Sequence, residues 1–414
     1  MENIAEVRPI VSALWRNKVA LILSGLQIAL TLAIVCNAIN IMSLRFAMMQ
    51  RPSGMNEADT FIVSSNGFGA EYNTVAATYA DLATLRNLPG VRDAAPVVAV
   101  PLQGGGWTED VYLTQEQGAP TTDDVAMYFT DDHGLDSYGA SLIAGRNFTP
   151  AEIGMRDETG EAMPPNAIVT QALAQRLFPN ESALGKEFYI DRKSAVTVIG
   201  VIARLQAADA HHTNVAGDPD MVEYSILIPQ IYSDGSSATY LIRAEPGRRD
   251  ELMKSVESKL SESNPGRVVE DIQPVEKLRS AVYREDRAMI LVLGGVVIAL
   301  LVVTALGIAG LANFWVAQRA RQIGIRRAVG ATRADILRYF LTENFIITSL
   351  GLVVGSVFTY AFGLCLLLHA ETRLLPWYYL PIGCVCLCLL GQLAALGPAL
   401  SASRVPPAVA TRSA

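Results

Sequence analysis

Nowhere does the sequence contain G-x-x-x-x-G-K-[ST], the pattern whose backbone amides cradle nucleotide phosphates, so nucleoside triphosphate binding by that route is excluded. Cysteine is scarce: five in 414 residues. Cys36, Cys365, Cys384, Cys386 and Cys388 all fall inside long uncharged runs, which indicates neither a disulfide scaffold nor a zinc site. The spacing of Cys384, Cys386 and Cys388 scatters around a helix, so packing is the expected role. No Ser-His-Asp or paired-carboxylate arrangement occurs at a recognisable spacing. A catalytic centre is therefore unsupported, and no metal or cofactor is expected on this chain.

What is present in quantity is apolar sequence. Hydrophobic residues make up 51% of the chain and charged ones 18%, with a mean hydropathy of +0.29. That is too apolar for an ordinary soluble protein and too charged for one wholly embedded in lipid. Four stretches lack charge altogether: 19–44, 288–318, 344–370 and 374–403. A helix rises about 1.5 Å per residue, so about 20 residues cross the roughly 30 Å hydrocarbon core. Four membrane helices are expected, over 19–43, 287–314, 339–369 and 374–399. The first exceeds the usual apolar core of a secretory signal and lacks a convincing cleavage site, so it reads as an uncleaved anchor.

Charge sorts the loops. Residues 44–286 carry 20 Lys and Arg against 35 Asp and Glu, a net of −15; the remainder carries 13 against 5, a net of +8. Arg8, Arg16 and Lys18 precede the first run, Arg319 to Arg338 separate the second from the third, and Arg404 and Arg412 follow the fourth. Basic residues mark cytoplasmic segments, so both termini (1–18 and 400–414) and the 315–338 segment are expected inside the cell, with 44–286 outside. Trp15 and Trp315 at the inner boundary, and Trp377, Tyr378 and Tyr379 at the outer one, are expected as interfacial aromatics.

A loop as long as 44–286 must fold. "TFIVSS", the helical pattern through Val75, Tyr79, Leu82, Leu85 and Leu88, and "AAPVVAVPLQ" form one strand–helix–strand unit. "YSILIPQI", "ATYLIRAEP", the helix through Leu252, Met253, Val256 and Leu260, and "GRVVEDIQPV" form a closing unit. Between them, "AIVTQALAQRLFPN" reads as strand into helix, and "KEFYIDRKSAVTVIGVIA" as a hairpin turning at Asp191–Ser194. The expected fold is a four-helix membrane protein with a large extracytoplasmic α+β domain of two subdomains, one inserted at 106–215. "VEKLRSAVYREDRAMIL" continues an apolar stripe through Leu278, Val282 and Met289 into the second span without Gly or Pro. It suits either a rigid rod or an ordinary surface helix.

The 315–338 segment is the strongest functional candidate. On a helical wheel Arg319, Gln322, Ile323, Arg326 and Gly330 share a face. Gly330 is a plausible helix stop, and Thr332-Arg-Ala-Asp335 matches a capping box opening the next helix. On charge alone these arginines merely fix topology and meet lipid headgroups.

Residue order says more. "AQRARQIGIRRAVGATRADILRYFLTEN" resembles the segment between the second and third spans of FtsX-like permeases of the MacB-like class of ABC transporters. "SALWRNKVALILSGLQIAL", "LIAGRNFTP", "AIVTQALAQRLFPNESALGKEFYI", "VTVIGVIA" and "GPALSASRVPPAVATR" resemble other parts of that family in the same order. The resemblance implies that Arg319, Arg321, Gln322, Ile323, Gly324, Arg326, Arg327, Gly330 and Ala331 form a coupling segment. It would dock on a separate ATPase subunit, which binds the ATP and Mg. It further implies an inner-membrane location, a second permease (an identical copy or a paralogue), and export by mechanical transmission. The exported class is peptide, antibiotic or lipoprotein-like. In a cell with two membranes a periplasmic adaptor and an outer-membrane channel would join; nucleic acid has no part. Gln318 and Gln322 stand where the family typically has glutamates, which suits either asymmetric pairing with a paralogue or drift at tolerant positions. A regulator of a cell-wall hydrolase and a membrane ligand sensor are the alternative functions.

Three smaller features remain. Glu343, just inside the third span, is an intramembrane ionisable group that either couples or pairs with arginine. Gly351-x-x-x-Gly355 allows close backbone approach, to a partner permease or within the chain. His211-His212 beside Asp209, Asp218 and Asp220 suits a solvated loop better than a metal site, and Gly104 to Gly106 suit a flexible joint.

Overall fold

The computed structural model describes residues 18–69, 71–156, 163–211, 218, 220–232, 235–370 and 374–404. Arg8, Trp15, Arg16, His212 and Arg412 lie outside them. The chain divides into two compact units, one of Met1–Ala47 with Asp286–Ala414, the other Met48–Glu285.

The first unit is built from α1 (Lys18–Met49), α7 (Arg284–Gln318), the short α8 (Ala320–Ala328), α9 (Arg333–Ala370) and α10 (Tyr379–Ser403). Four of these, all but α8, are long and apolar enough to cross a membrane. Apart from the last, they start before the uncharged runs, because helical hydrogen bonding continues through flanking charged residues that the apolar count stops at. The most enclosed is α1; α7 is the least. Ile28, Leu32 and Cys36 of α1 pack with Ile308, Leu352, Leu387 and Ala395. Several polar groups inside this bundle find partners across helices, as lipid-facing alternatives would leave them unsatisfied. Thr31 and Thr304 hydroxyls lie 2.8 Å apart, and the Asn37 amide donates to the carbonyls of Ala33 (2.9 Å) and Thr359 (3.1 Å). Arg45 pairs with the buried Asp286.

The Gly351–Gly355 stripe is used inside the chain. A Cβ at Gly355 would meet the Ala29 Cα at 2.8 Å, and one at Gly351 the Gly25 carbonyl oxygen at 3.0 Å. The two glycines therefore let α9 press its backbone against α1.

The second unit combines two sheets. The first contains β1 (Thr60–Gly67), β2 (Val91–Val97), β11 (Ser237–Ala244) and β12 (Arg267–Pro274), in order β12-β1-β11-β2 with every neighbour antiparallel. With α2 (Thr74–Arg86) and α5 (Arg249–Ser263), the sequence order is βαβ–βαβ, the ferredoxin-like arrangement. Alternation along β1 sends Phe61 and Val63 to the helices, with Leu82, Leu85, Leu252, Val256 and Leu260, and Ile62 to the opposite face. Under the helices, buried Arg267 is paired with Asp81, which also accepts from the Tyr240 hydroxyl at 2.6 Å. The buried face of α2 runs through Thr74, Ala77, Thr78, Asp81, Leu82 and Leu85. Val75 and Tyr79, expected on it, are exposed, because this ion-pair network takes the inward positions.

Between β2 and β11 the chain builds an eight-stranded sheet: β3 (Trp107–Tyr112), β4 (Thr121–Thr130), β5 (Leu142–Gly145), β6 (Gly154–Arg156), β7 (Asn166–Thr170), β8 (Glu187–Ile190), β9 (Ser194–Ile202) and β10 (Ser225–Tyr232). The path β4-β3-β8-β9-β7-β10 closes on itself, since β10 also pairs with β4. Closure leaves a six-stranded barrel filled by residues such as Met127, Phe129, Phe188, Val198 and Ile226. The β8–β9 hairpin turns through Asp191 and Arg192, both at positive φ.

Two expectations are corrected here. "YSILIPQI" belongs to this barrel rather than to the closing unit, so the inserted strands run on to Tyr232, past residue 215. A buried strand such as β10, parallel to β4 and antiparallel to β7, carries no local mark of which sheet it joins. The stripe through Leu278, Val282 and Met289 is not one rod: α6 (Val275–Val282) ends at Tyr283, and α7 starts at Arg284. Tyr283, at the one-residue break between them, is 1% exposed, packs in the core, and accepts a hydrogen bond from the Gln206 amide at 3.3 Å.

Candidate functional site

The basic segment folds as a helix, a stop and a restart. Arg319 caps α8, Gly330 follows it at φ +111°, and α9 opens at Arg333. Left-handed backbone at Gly330 suits a residue without a Cβ. The Asp335 carboxylate accepts from the Thr332 amide (2.9 Å) and hydroxyl (2.6 Å), while that hydroxyl accepts from the Asp335 amide at 3.2 Å. This is a reciprocal cap with aspartate in place of glutamate.

The residues expected to share one face separate into two sets. Ile323 and Gly324 turn inward, and Ile323 packs with Ile336, Phe340, Ala399 and Ala402 of α9 and α10. Arg319 also points into the bundle: its guanidinium donates to both Glu343 oxygens, at 2.9 and 3.0 Å, and Glu343 is 1% exposed. The intramembrane carboxylate is thus half of an ion pair that pins the start of α8 to α9. Arg321, Gln322, Arg326 and Gly330 are exposed, and Arg327 and Ala331 half-buried. The Arg326 guanidinium sits over the Tyr339 ring, 4.9 Å from its centre.

Two residues on the outward surface had not been singled out. Ile325 is 50% exposed and Val329 85% exposed. Together with Gln322 and Arg326 they follow helical spacing of three, four and seven, so the outer face of α8 is a small apolar patch edged by arginine. The signal was in the sequence as isoleucine and valine four residues apart, but inward Ile323 has the same chemistry. Trp315, expected at the membrane boundary, is buried against Leu21, Tyr339, Ile346 and Ile347. Trp377 and Tyr378 remain exposed.

Outside the bundle, His211 lies 3.7 Å from Asp209 with its ring edge-on to Tyr283. Among the described residues no group of three or more His, Cys, Asp or Glu is placed to hold a metal.

Comparison with known proteins matches residues 19–259 to the MacB-like periplasmic core domain and residues 294–407 to the FtsX-like permease C-terminal region. The chain is 30% identical over 261 residues to the macrolide export ATP-binding/permease protein MacB of Rhodospirillum rubrum, covering 60% of this chain and 38% of that protein. It is 23% identical over 336 residues to MacB of Pasteurella multocida, covering 80% and 48%. An uncharacterized ABC transporter permease of Bacillus subtilis, YknZ, is 25% identical over 287 residues, 66% of each chain. The chain thus spans less than half the length of these two MacB relatives. The crystal structure of the periplasmic region of MacB from Actinobacillus actinomycetemcomitans aligns with 57% of this chain and 97% of that one, at a TM-score of 0.35 and 15% identity.

Proposed function

Because this chain belongs to the family of ABC transporter permeases with a MacB-like periplasmic core domain and an FtsX-like C-terminal region, we propose that it is a non-catalytic membrane subunit driven by an ATPase on a separate chain. One observation carries the reading. The outer face of α8 exposes Ile325 and Val329 beside Arg326, while Ile323 and the Arg319–Glu343 pair hold the helix against the bundle. Exposed aliphatic residues on a helix otherwise rich in arginine favour a protein partner over water. The buried ion pair makes α8 and α9 move together, so a push on the patch reaches the spans.

In this reading α8 faces the cytoplasm, in line with its basic charge, and Met48–Glu285 faces outward. Two permeases pair around two ATPase subunits, and nucleotide-driven closure of the ATPases is passed through the spans to the exterior unit, which acts on an exported substrate. Arg319, Arg321, Gln322, Ile323, Gly324, Arg326, Arg327, Gly330 and Ala331 remain the coupling segment. Their duties differ: Arg319, Ile323 and Gly324 anchor, while Gln322, Ile325, Arg326 and Val329 make the contact. The absent glutamates at 318 and 322 leave the contact face without acidic residues, so the partner surface is expected to be apolar and acidic rather than basic. The test is Arg326→Glu combined with Arg327→Glu, in the full chain reconstituted with its ATPase. Membrane insertion stays intact and permease-dependent stimulation of ATP hydrolysis is lost. Normal stimulation in that double variant would end the docking reading.

A further inference from the structure

A second feature of the bundle, separate from α8's outer face, is an open groove of about 370 Å³ between α9 and α10. Its wall includes Leu337, Arg338, Leu341, Thr342 and Phe345 from α9 and Gln392 from α10. Three properties define what fits. Arg338 is exposed and has no ion-pair partner among the described residues. The nearest acid in sequence, Asp335, accepts from the Thr332 amide and hydroxyl and feels the Arg338 charge without forming a contact ion pair with it. The rest of the wall is predominantly apolar, with Phe345 51% exposed. The Gln392 amide nitrogen is buried yet has no hydrogen-bond partner. A buried donor without a partner costs free energy, and a ligand acceptor would relieve it.

The order of these properties along the groove matters. The Asn344 amide donates to the Gly391 carbonyl at 3.0 Å, which fixes the helix register and sets Gln392 beside Asn344 and Phe345. Arg338 lies two turns away along α9, toward the helix start, a rise of about 10 Å over seven residues. The groove therefore presents a cation at one end, a hydrocarbon surface along its length, and a hidden amide donor further in. We propose that it is a binding site for one anionic phospholipid. The phosphate pairs with Arg338, a glycerol ester carbonyl accepts from Gln392, and an acyl chain lies along Leu341 and Phe345. Basic pockets between membrane helices hold anionic headgroups by this chemistry. No carboxylate lines the groove to receive a headgroup ammonium, which sets net-anionic lipids apart from zwitterionic ones.

The test uses the full chain purified in detergent, with phosphatidylglycerol, phosphatidylcholine and free glycerol phosphate as probes. Bound lipid is read by native mass spectrometry and thermal unfolding is followed in parallel. Phosphatidylglycerol is expected to bind once per chain and raise the unfolding temperature, with phosphatidylcholine at least about tenfold weaker, roughly a 1.4 kcal/mol gap. Arg338→Gln loses that preference and Arg338→Lys keeps most of it. Gln392→Leu weakens both lipids several-fold, and Lys254→Gln, on the exposed side of α5 in the second unit, changes nothing. Lipid-free unfolding temperatures no lower than that of the wild type show that the variants fold. Equal binding of the two lipids, or full retention by folded Arg338→Gln, overturns the site. Equally tight binding of glycerol phosphate overturns the lipid assignment in favour of a soluble anion.

Discussion

Arg279 offers the sharpest test of how the unit Met48–Glu285 is held together. From α6 its guanidinium donates to both oxygens of Glu57 at 2.7 Å, to the Met49 carbonyl at 2.9 Å and to the Arg51 carbonyl at 3.0 Å. It thus collects the last carbonyl of α1, which has no helical donor of its own, together with the strand-ward loop beyond. Replacing it with methionine keeps the aliphatic bulk and strands a carboxylate and two carbonyls. Removing one partner of a buried pair costs about 3–5 kcal/mol. These side chains are 23% and 20% exposed, so water recovers part of that, and a loss of about 2–4 kcal/mol is expected. Glu57→Gln loses the charge and, because its NH2 cannot accept, one of the two carboxylate acceptors, for about 1–3 kcal/mol. Unfolding of the full chain in detergent, completed into a double-mutant cycle, isolates the pair, and hydrogen exchange locates the loss at the end of α1 and residues 51–57.

The same pair carries a pH signature. Burial alone raises the Glu57 carboxyl, but hydrogen bonds from Arg279 and Ser53, with the Arg279 charge, outweigh it and hold it below the usual 4.5. A carboxylate lowered on folding contributes stability that is complete above 4.5 and lost as pH falls through the folded value. The wild type should therefore shed this increment below about pH 4.5, and Glu57→Gln should not. A coupling energy under about 0.5 kcal/mol in the cycle, within the range of independent sites, would show that Arg279 does not clamp these segments.

Three more outcomes follow from the bundle. Gly355→Leu drives a side chain into the Ala29 backbone, so the purified chain should unfold at a markedly lower temperature, whereas removal of a mere dimer contact would leave the monomer's stability alone. Glu343→Gln leaves Arg319 buried without its counter-charge and should cost about 3 kcal/mol; pairing it with Arg319→Met should recover most of that in thermal unfolding, and no recovery would mean that the two do not act as a pair. Ile325→Asp with Val329→Asp should leave the unfolding temperature within a degree or two, since both side chains are exposed, while abolishing permease-stimulated ATP hydrolysis; undiminished stimulation would move the contact elsewhere.

Much of the candidate site was legible because its determinants are local. The stop at Gly330 and the cap at Thr332 and Asp335 depend on residues within one turn, so they could be read before any packing was known. The partners of Arg319 and Gly351 could not. Arg319 meets a carboxylate 24 positions along the chain, and Gly351 meets α1 more than 300 positions before it. Nor could Ile323 be told from Ile325: both are isoleucines on one short helix, and only α9 and α10 decide which is covered.

Sequence alone determined the four uncharged runs, the acidic segment between the first two, and the turn chemistry that brackets the basic helix. Length, charge and φ preference act over a few residues, or add up without regard to contacts. Tertiary structure decided that six strands close into a barrel, that α6 stops at Tyr283, and that α8 shows Ile325 and Val329 to the outside. Each of these is a competition among distant groups for the same buried space, and close packing settles such a competition only when the whole chain is in place.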